Sequence, residues 1–156
     1  MQINDIEIRN FRCLKDVSVA LSKLNVIIGA NGAGKTSLLE MFDIISKGAR
    51  QELSKAISDR EGINDLISIN AIEPKSISFC IKTTVDGYDD PLTYKIEIGR
   101  QGTGYIIISE TFSPYHRPGF PTPFMWIDNI PGHHRYYDSI QNRLVVPSWE
   151  YEEKEP

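Results

Sequence analysis

The sequence predicts an α/β fold: a parallel core strand, a helix following it, and an added antiparallel β-meander. Three observations predict it. Residues Val26, Ile27 and Ile28 form an unbroken apolar run that stops at Gly29, the pattern of a strand buried on both faces. From Lys35 to Ser46, Leu38, Phe42 and Ile45 recur at helical spacing, with Leu39 and Met41 flanking them. From residue 76 onward the apolar period drops to two in three successive segments. A chain of 156 residues is enough for one domain, which would bury roughly 70% of its unfolded surface.

The first strand is expected over Ile3–Asn10, where Ile6 and Ile8 alternate with Glu7 and Arg9. Ile3 is out of phase, which leaves the start of that strand open. CLKDVSVAL supplies a second short strand ending near Leu21, and LNVIIG a third. The helix Lys35–Ser46 has Gly48 as its stop signal. RQELSKAISDREG reads as a second helix ending before Gly62. In SISFCIKTTV, Ile77, Phe79 and Ile81 alternate with Ser78, Cys80 and Lys82; in LTYKIEIG, Leu92, Tyr94, Ile96 and Ile98 alternate with Thr93, Lys95 and Glu97. The turn-rich DGYDDP joins them, and GRQGTG turns into YIIISETF, completing three antiparallel strands. After Phe112 the chain is rich in Pro and Gly, with a hairpin expected over Phe124–Asp128 and His134–Asp138 before an acidic tail.

Composition narrows the function classes. Forty per cent hydrophobic and 24% charged residues are ordinary for a globular domain. No apolar run approaches the ~20 residues of a membrane span, and MQINDIEIRNF is a strand pattern rather than a signal peptide. The expected location is therefore cytoplasmic, with no membrane partner. Two cysteines, Cys13 and Cys80, read as reduced thiols, a lone disulfide being the alternative. The net charge is −4, and basic residues only slightly outnumber acidic ones over the first 60. No basic cluster advertises nucleic acid, so DNA contact stays open.

Gly29-Ala30-Asn31-Gly32-Ala33-Gly34-Lys35-Thr36 fits G-x-x-x-x-G-K-[ST], the Walker A pattern. Each position has a chemical reason. The glycines let the backbone wrap and present consecutive N–H groups to phosphate oxygens. The helix that follows points its positive end at the same anion. Lys35, the candidate catalytic cation, can reach the β- and γ-phosphates of ATP. Thr36 can place its hydroxyl on Mg²⁺, and Ser37 can add one near the α-phosphate. A glycine-rich turn without a ligand is the competing reading, and the apolar strand before it and the amphipathic helix after it disfavour that.

Residues 6–45, IEIRNFRCLKDVSVALSKLNVIIGANGAGKTSLLEMFDII, resemble the start of an ABC-type ATPase head of the kind found in SMC, RecF and OLD-family proteins. NFR, the strand pair and the NGAGKT form of the loop carry the likeness. LTYKIEIGRQGTGYIIISETF resembles the β-meander of predicted AAA-type ATPases. The resemblance implies a P-loop NTPase fold and an ATPase that dimerises on ATP. It also implies that Arg12 sits near the nucleotide phosphates or relays between nucleotide and partner surfaces; a solvated strand-end arginine is the alternative. An ABC-type site further needs four apolar residues followed by Asp-Glu, a signature LSGG and a Q-loop. The first two are absent from this sequence. FMWIDN is the nearest imitation of the first, with Asp128 followed by Asn129, and Gln141 is a Q-loop candidate only by elimination. The expectation is a partial ATPase domain over 1–156, divided as 1–70, 71–112 and 113–156, completed by a missing C-terminal lobe.

The remaining constellations are weaker. His133-His134 and His116 read as turn residues rather than metal ligands. Trp126, Tyr136 and Tyr137 read as hairpin packing rather than base-stacking platforms. A non-catalytic nucleotide switch or scaffold is the second functional reading. A P-loop kinase or GTPase is the third, and the GTPase form lacks its N-K-x-D.

Overall fold

The computed structural model describes residues 1–69, 71, 75–86, 91–114, 125–131 and 133–146. Among them, eight strands form one sheet: β1 (Gln2–Phe11), β2 (Leu14–Ala20), β3 (Ser76–Thr84), β4 (Leu92–Gln101), β5 (Gly104–Ser113), β6 (Ile127–Ile130), β7 (His133–Asp138) and β8 (Arg143–Val145). Its order is β2-β1-β3-β4-β5-β6-β7-β8, and each neighbouring pair is antiparallel. Among the described residues three helices accompany it: α1 (Lys35–Gly48), α2 (Leu53–Ser58) and α3 (Ile63–Leu66).

The alternation read from the sequence decides which sheet face is apolar. Ile6 and Ile8 of β1, Ile77, Phe79 and Ile81 of β3, and Ile96 and Ile98 of β4 are buried in one cluster. Register places Ile8 opposite Phe79 and Phe79 opposite Ile96, so these side chains stack across three strands. Phe11 meets Phe79 edge-on, with ring centroids 5.1 Å apart. Met41 and Ile44 of α1, Ala56 and Ile57 of α2, and Ile63 and Leu66 of α3 complete the core.

The α/β class is observed, but the parallel core strand is not. Residues 21–34 carry no strand, and Val26 and Ile28 are 80% and 88% exposed. The reason is one of partners. A parallel strand needs hydrogen-bonding neighbours and cover on both faces, and among the described strands every pairing is antiparallel. The α1 stripe is also rotated by about one residue. Ser37, Met41 and Ile44 are buried, Leu38, Phe42 and Ile45 are partly buried, and Leu39 is exposed. The helix packs against α2 as well as joining the sheet's apolar cluster, so its deepest line is set by more than one neighbour. The expected second helix is shorter, and α3 and β8 are additions. Trp126 packs on Phe112 at 5.2 Å between ring centroids. Phe124, His116 and the acidic tail lie outside the described residues.

Asp43 of α1 receives Lys47 from the next turn, at 3.0 Å, and Arg60 from beyond α2. These side-chain bonds hold its carboxyl below the usual value, Lys47 contributing most. A lowered folded pKa gives stability that is present above the unfolded value and lost as pH falls through the folded one. Asp43→Asn should therefore lower the urea midpoint at pH 6, and the gap to wild type should close as pH falls below about 4. An equal gap at both pH values would count against the ion pairs as its origin.

Candidate phosphate-binding site

The loop before α1 is shaped by glycine. Gly32 and Gly34 have φ of +81° and +96°, a region that side-chain-bearing residues rarely enter. Gly34 also has no room for a side chain. A Cβ there would lie 2.5 Å from Leu14 Cδ2 and 3.2 Å from Cys13 Sγ. Ala33 N–H donates to Ala30 C=O at 3.2 Å and tightens the bend.

Two sources of positive potential converge on this loop. Lys35 Nζ donates to the carbonyls of Gly29 at 2.6 Å and Ala30 at 2.7 Å, arching the ammonium over the loop. An ammonium has three N–H donors, so these two bonds leave a third for a phosphate oxygen. The second source is the start of α1. Its first helical bond is Leu38 N–H to Gly34 C=O, at 3.0 Å. The N–H groups of Lys35, Thr36 and Ser37 precede that bond and have no intrahelical acceptor. No side chain caps this end, and no acidic residue lies in the first turn to offset its dipole.

A cavity of about 210 Å³ opens here, lined by Cys13, Asn31, Gly32, Gly34, Lys35, Thr36 and Ser37. It is smaller than the ~300–1,000 Å³ that takes a whole drug-sized ligand, so its size suits phosphates rather than a complete nucleotide. The donor set, of backbone N–H groups, an ammonium and two hydroxyls, fits a polyphosphate. The exposed Thr36 hydroxyl is a single hard oxygen, suited to sharing Mg²⁺ with phosphate and water rather than caging it.

Other expected residues fall elsewhere. Arg12 sits in the β1–β2 turn, with Nε 2.7 Å from Glu40 Oε2 of α1. It is therefore neither a freely solvated arginine nor part of the pocket lining. Cys13, which no sequence motif singles out, lines the pocket with its Sγ 3.7 Å from Ser37 Oγ. Both cysteines are free thiols, Cys13 exposed and Cys80 buried. Asp128 pairs with Arg135 across the β6–β7 hairpin, at 2.7 Å. Gln141 bonds Asp138 and Arg143 in the β7–β8 turn, at the sheet edge opposite β2. Neither meets the phosphate loop. His134 lies in β7 opposite Asn129. Among the described residues, no group of three His, Cys, Asp or Glu is arranged to hold a metal ion, and no helix is long and apolar enough to cross a membrane.

Residues 1–111 match the AAA ATPase domain family. The chain belongs to that family. This AAA ATPase domain is also similar to parts of curated proteins. It is 45% identical over 40 residues to an OLD nuclease of Thermus scotoductus, covering 26% of this chain and 8% of that protein. It is 47% identical over 49 residues to the DNA replication and repair protein RecF of Thioalkalivibrio sulfidiphilus, covering 31% and 14%. With RecF of Acetivibrio thermocellus the identity is 38% over 65 residues, covering 41% and 17%. The matched segments thus span 8% to 17% of these relatives. A solved structure from work on ATP-driven dimerization and DNA-stimulated activation of SMC ATPases is similar at TM-score 0.47 and 22% identity, covering 72% of this chain and 68% of that one. Membership makes this chain a P-loop, nucleotide-binding ATPase domain.

Proposed function

We propose that this chain is the ATP-binding lobe of an ATP-driven head that dimerises and works in DNA repair, maintenance or defence. The observation that carries this reading is the convergence of the Lys35 ammonium and the uncapped start of α1 on one phosphate-sized cavity. In this reading the backbone from Gly29 to Gly34 wraps the phosphates, and Lys35 neutralises the β- and γ-phosphates of ATP. Ser37 donates near the α-phosphate, and Thr36 offers its hydroxyl to Mg²⁺. When bound, Mg²⁺ supplies charge neutralisation of the phosphates. The RecF and OLD nuclease similarities support the choice of DNA processes.

Hydrolysis needs an aligned water and a complete metal shell as well. We assign the carboxylates that provide them to a C-terminal lobe with Walker B and signature motifs. Exposed Leu24, Val26 and Ile28 support that assignment, because a flanking strand from such a lobe would cover them. The lack of an apolar run followed by Asp-Glu favours one second reading, a non-catalytic nucleotide switch.

Titration of the 156-residue chain with a fluorescent ATP analogue should show weak binding, while phosphate release stays at background. A robust rate that Lys35→Ala abolishes would overturn the lobe assignment and direct attention to Glu110, Asp128 and Asp138.

A further inference from the structure

The β1–β2 turn is one wall of the phosphate pocket. Cys13 lines the cavity, and Leu14 occupies the space beside Gly34 where a side chain would go. The turn is not in a relaxed conformation. Asn10 and Arg12 have φ of 55° and 51°, left-handed values at non-glycine residues. Something must therefore hold it in place.

Three contacts do so. Arg12 N–H donates to Leu66 C=O, and Ser68 N–H donates to Asn10 C=O, each at 2.7 Å. Both tie the turn to the end of α3. The third is the Arg12–Glu40 ion pair, which reaches α1, the helix that forms the opposite wall, and is closer than the Cys13 Sγ–Ser37 Oγ contact at 3.7 Å. Glu40 lies one turn beyond Ser37, on the side of α1 that faces the strand turn, with its side chain 25% exposed.

We propose that Glu40 is a positioning residue for the phosphate pocket. Through Arg12, its carboxylate clamps the β1–β2 turn against the first turns of α1 and so sets the width between Cys13 and Ser37. Arg12 then acts as the other half of the clamp and not as a phosphate ligand. The proposal rests on the phosphate-binding reading above for its consequence, but the clamp itself can be read without nucleotide.

The test uses the 156-residue chain with Glu40→Gln, Arg12→Gln, the double variant and the charge swap Arg12→Glu/Glu40→Arg. Alkylation of Cys13 by iodoacetamide reports the turn, with buried Cys80 as a slow internal reference. Affinity for a fluorescent ATP analogue reports the pocket. Each single variant should speed alkylation and weaken the analogue by about fivefold, the size of one partly exposed ion pair. The double variant should be no worse than either single variant, and the swap should restore both readouts. A merely structural loss would lower the melting temperature without this shared pattern. Tighter analogue binding in Glu40→Gln, with weaker binding in Arg12→Gln, would make Arg12 a phosphate ligand and overturn the clamp. Unchanged alkylation across the set would overturn it too. If no protein binds the analogue, the phosphate-binding reading fails, and alkylation with its rescue by the swap still decides the clamp.

Discussion

Lys35→Ala should remove measurable ATP binding while leaving the chain folded. The ammonium is the main side-chain cation over the loop and, among the described residues, the only lysine lining the cavity. A charge-assisted bond to phosphate contributes ~2 kcal/mol, so affinity should fall by at least about 30-fold. A second effect acts in the same direction. Without Lys35 the carbonyls of Gly29 and Ala30 lose their bonds to Nζ and turn to water, so the loop must be ordered when phosphate arrives. The core should be little affected, since Lys35 is not a member of the buried cluster. Circular dichroism should therefore superimpose on wild type, with the melting temperature shifted little. Equilibrium titration with a fluorescent ATP analogue reads the loss. Unchanged affinity in a folded variant would reduce the loop to a turn.

Gly34→Ala should be the most damaging single-methyl change at this site. Two costs add. The φ of +96° strains any residue with a Cβ, at ~1–2 kcal/mol. The new methyl would also sit 2.5 Å from Leu14 Cδ2 and 3.2 Å from Cys13 Sγ. Leu14 Cδ2 is the end of a flexible side chain and must turn aside, and Cys13 Sγ must give as well, an overpacking cost of ~1–3 kcal/mol. The sum is about 2–5 kcal/mol, a large part of the stability of a domain of this size. Gly102→Ala provides the comparison. Its φ is +58° in the β4–β5 turn, and nothing lies within 4 Å of its Cβ position. Urea unfolding should show a loss at Gly102 limited to strain and a clearly larger one at Gly34. Equal losses would mean that the contact with Leu14 and Cys13 has no energetic weight.

What the sequence determined by itself was local. The spacing of Gly29, Gly32, Gly34, Lys35 and Thr36 identified the phosphate loop, because glycine freedom and helix-start chemistry depend on consecutive residues. The three-strand meander was legible for the same reason. Ile77, Phe79 and Ile81, then Ile96 and Ile98, alternate so cleanly that a one-residue slip would turn them out of the core. Ser37, Met41 and Ile44 show where that reading loosens. Several apolar residues crowd α1, and the pattern alone did not say which line would lie deepest.

The tertiary structure decided which elements became neighbours. β1 lies between β2 and β3, so two strands read as belonging with the phosphate loop extend the meander instead. Strand pairing over some seventy residues rests on long-range hydrogen bonds, which no local period encodes. Val26–Ile28 shows the converse. An unbroken apolar run specifies that burial is favourable but not what covers it, and here no described strand pairs with it. The pocket wall has the same origin. Cys13 and Leu14 are distant from Gly34 in sequence, and only the packing of the β1–β2 turn on α1, held by Arg12 and Glu40, brings them to the phosphate loop.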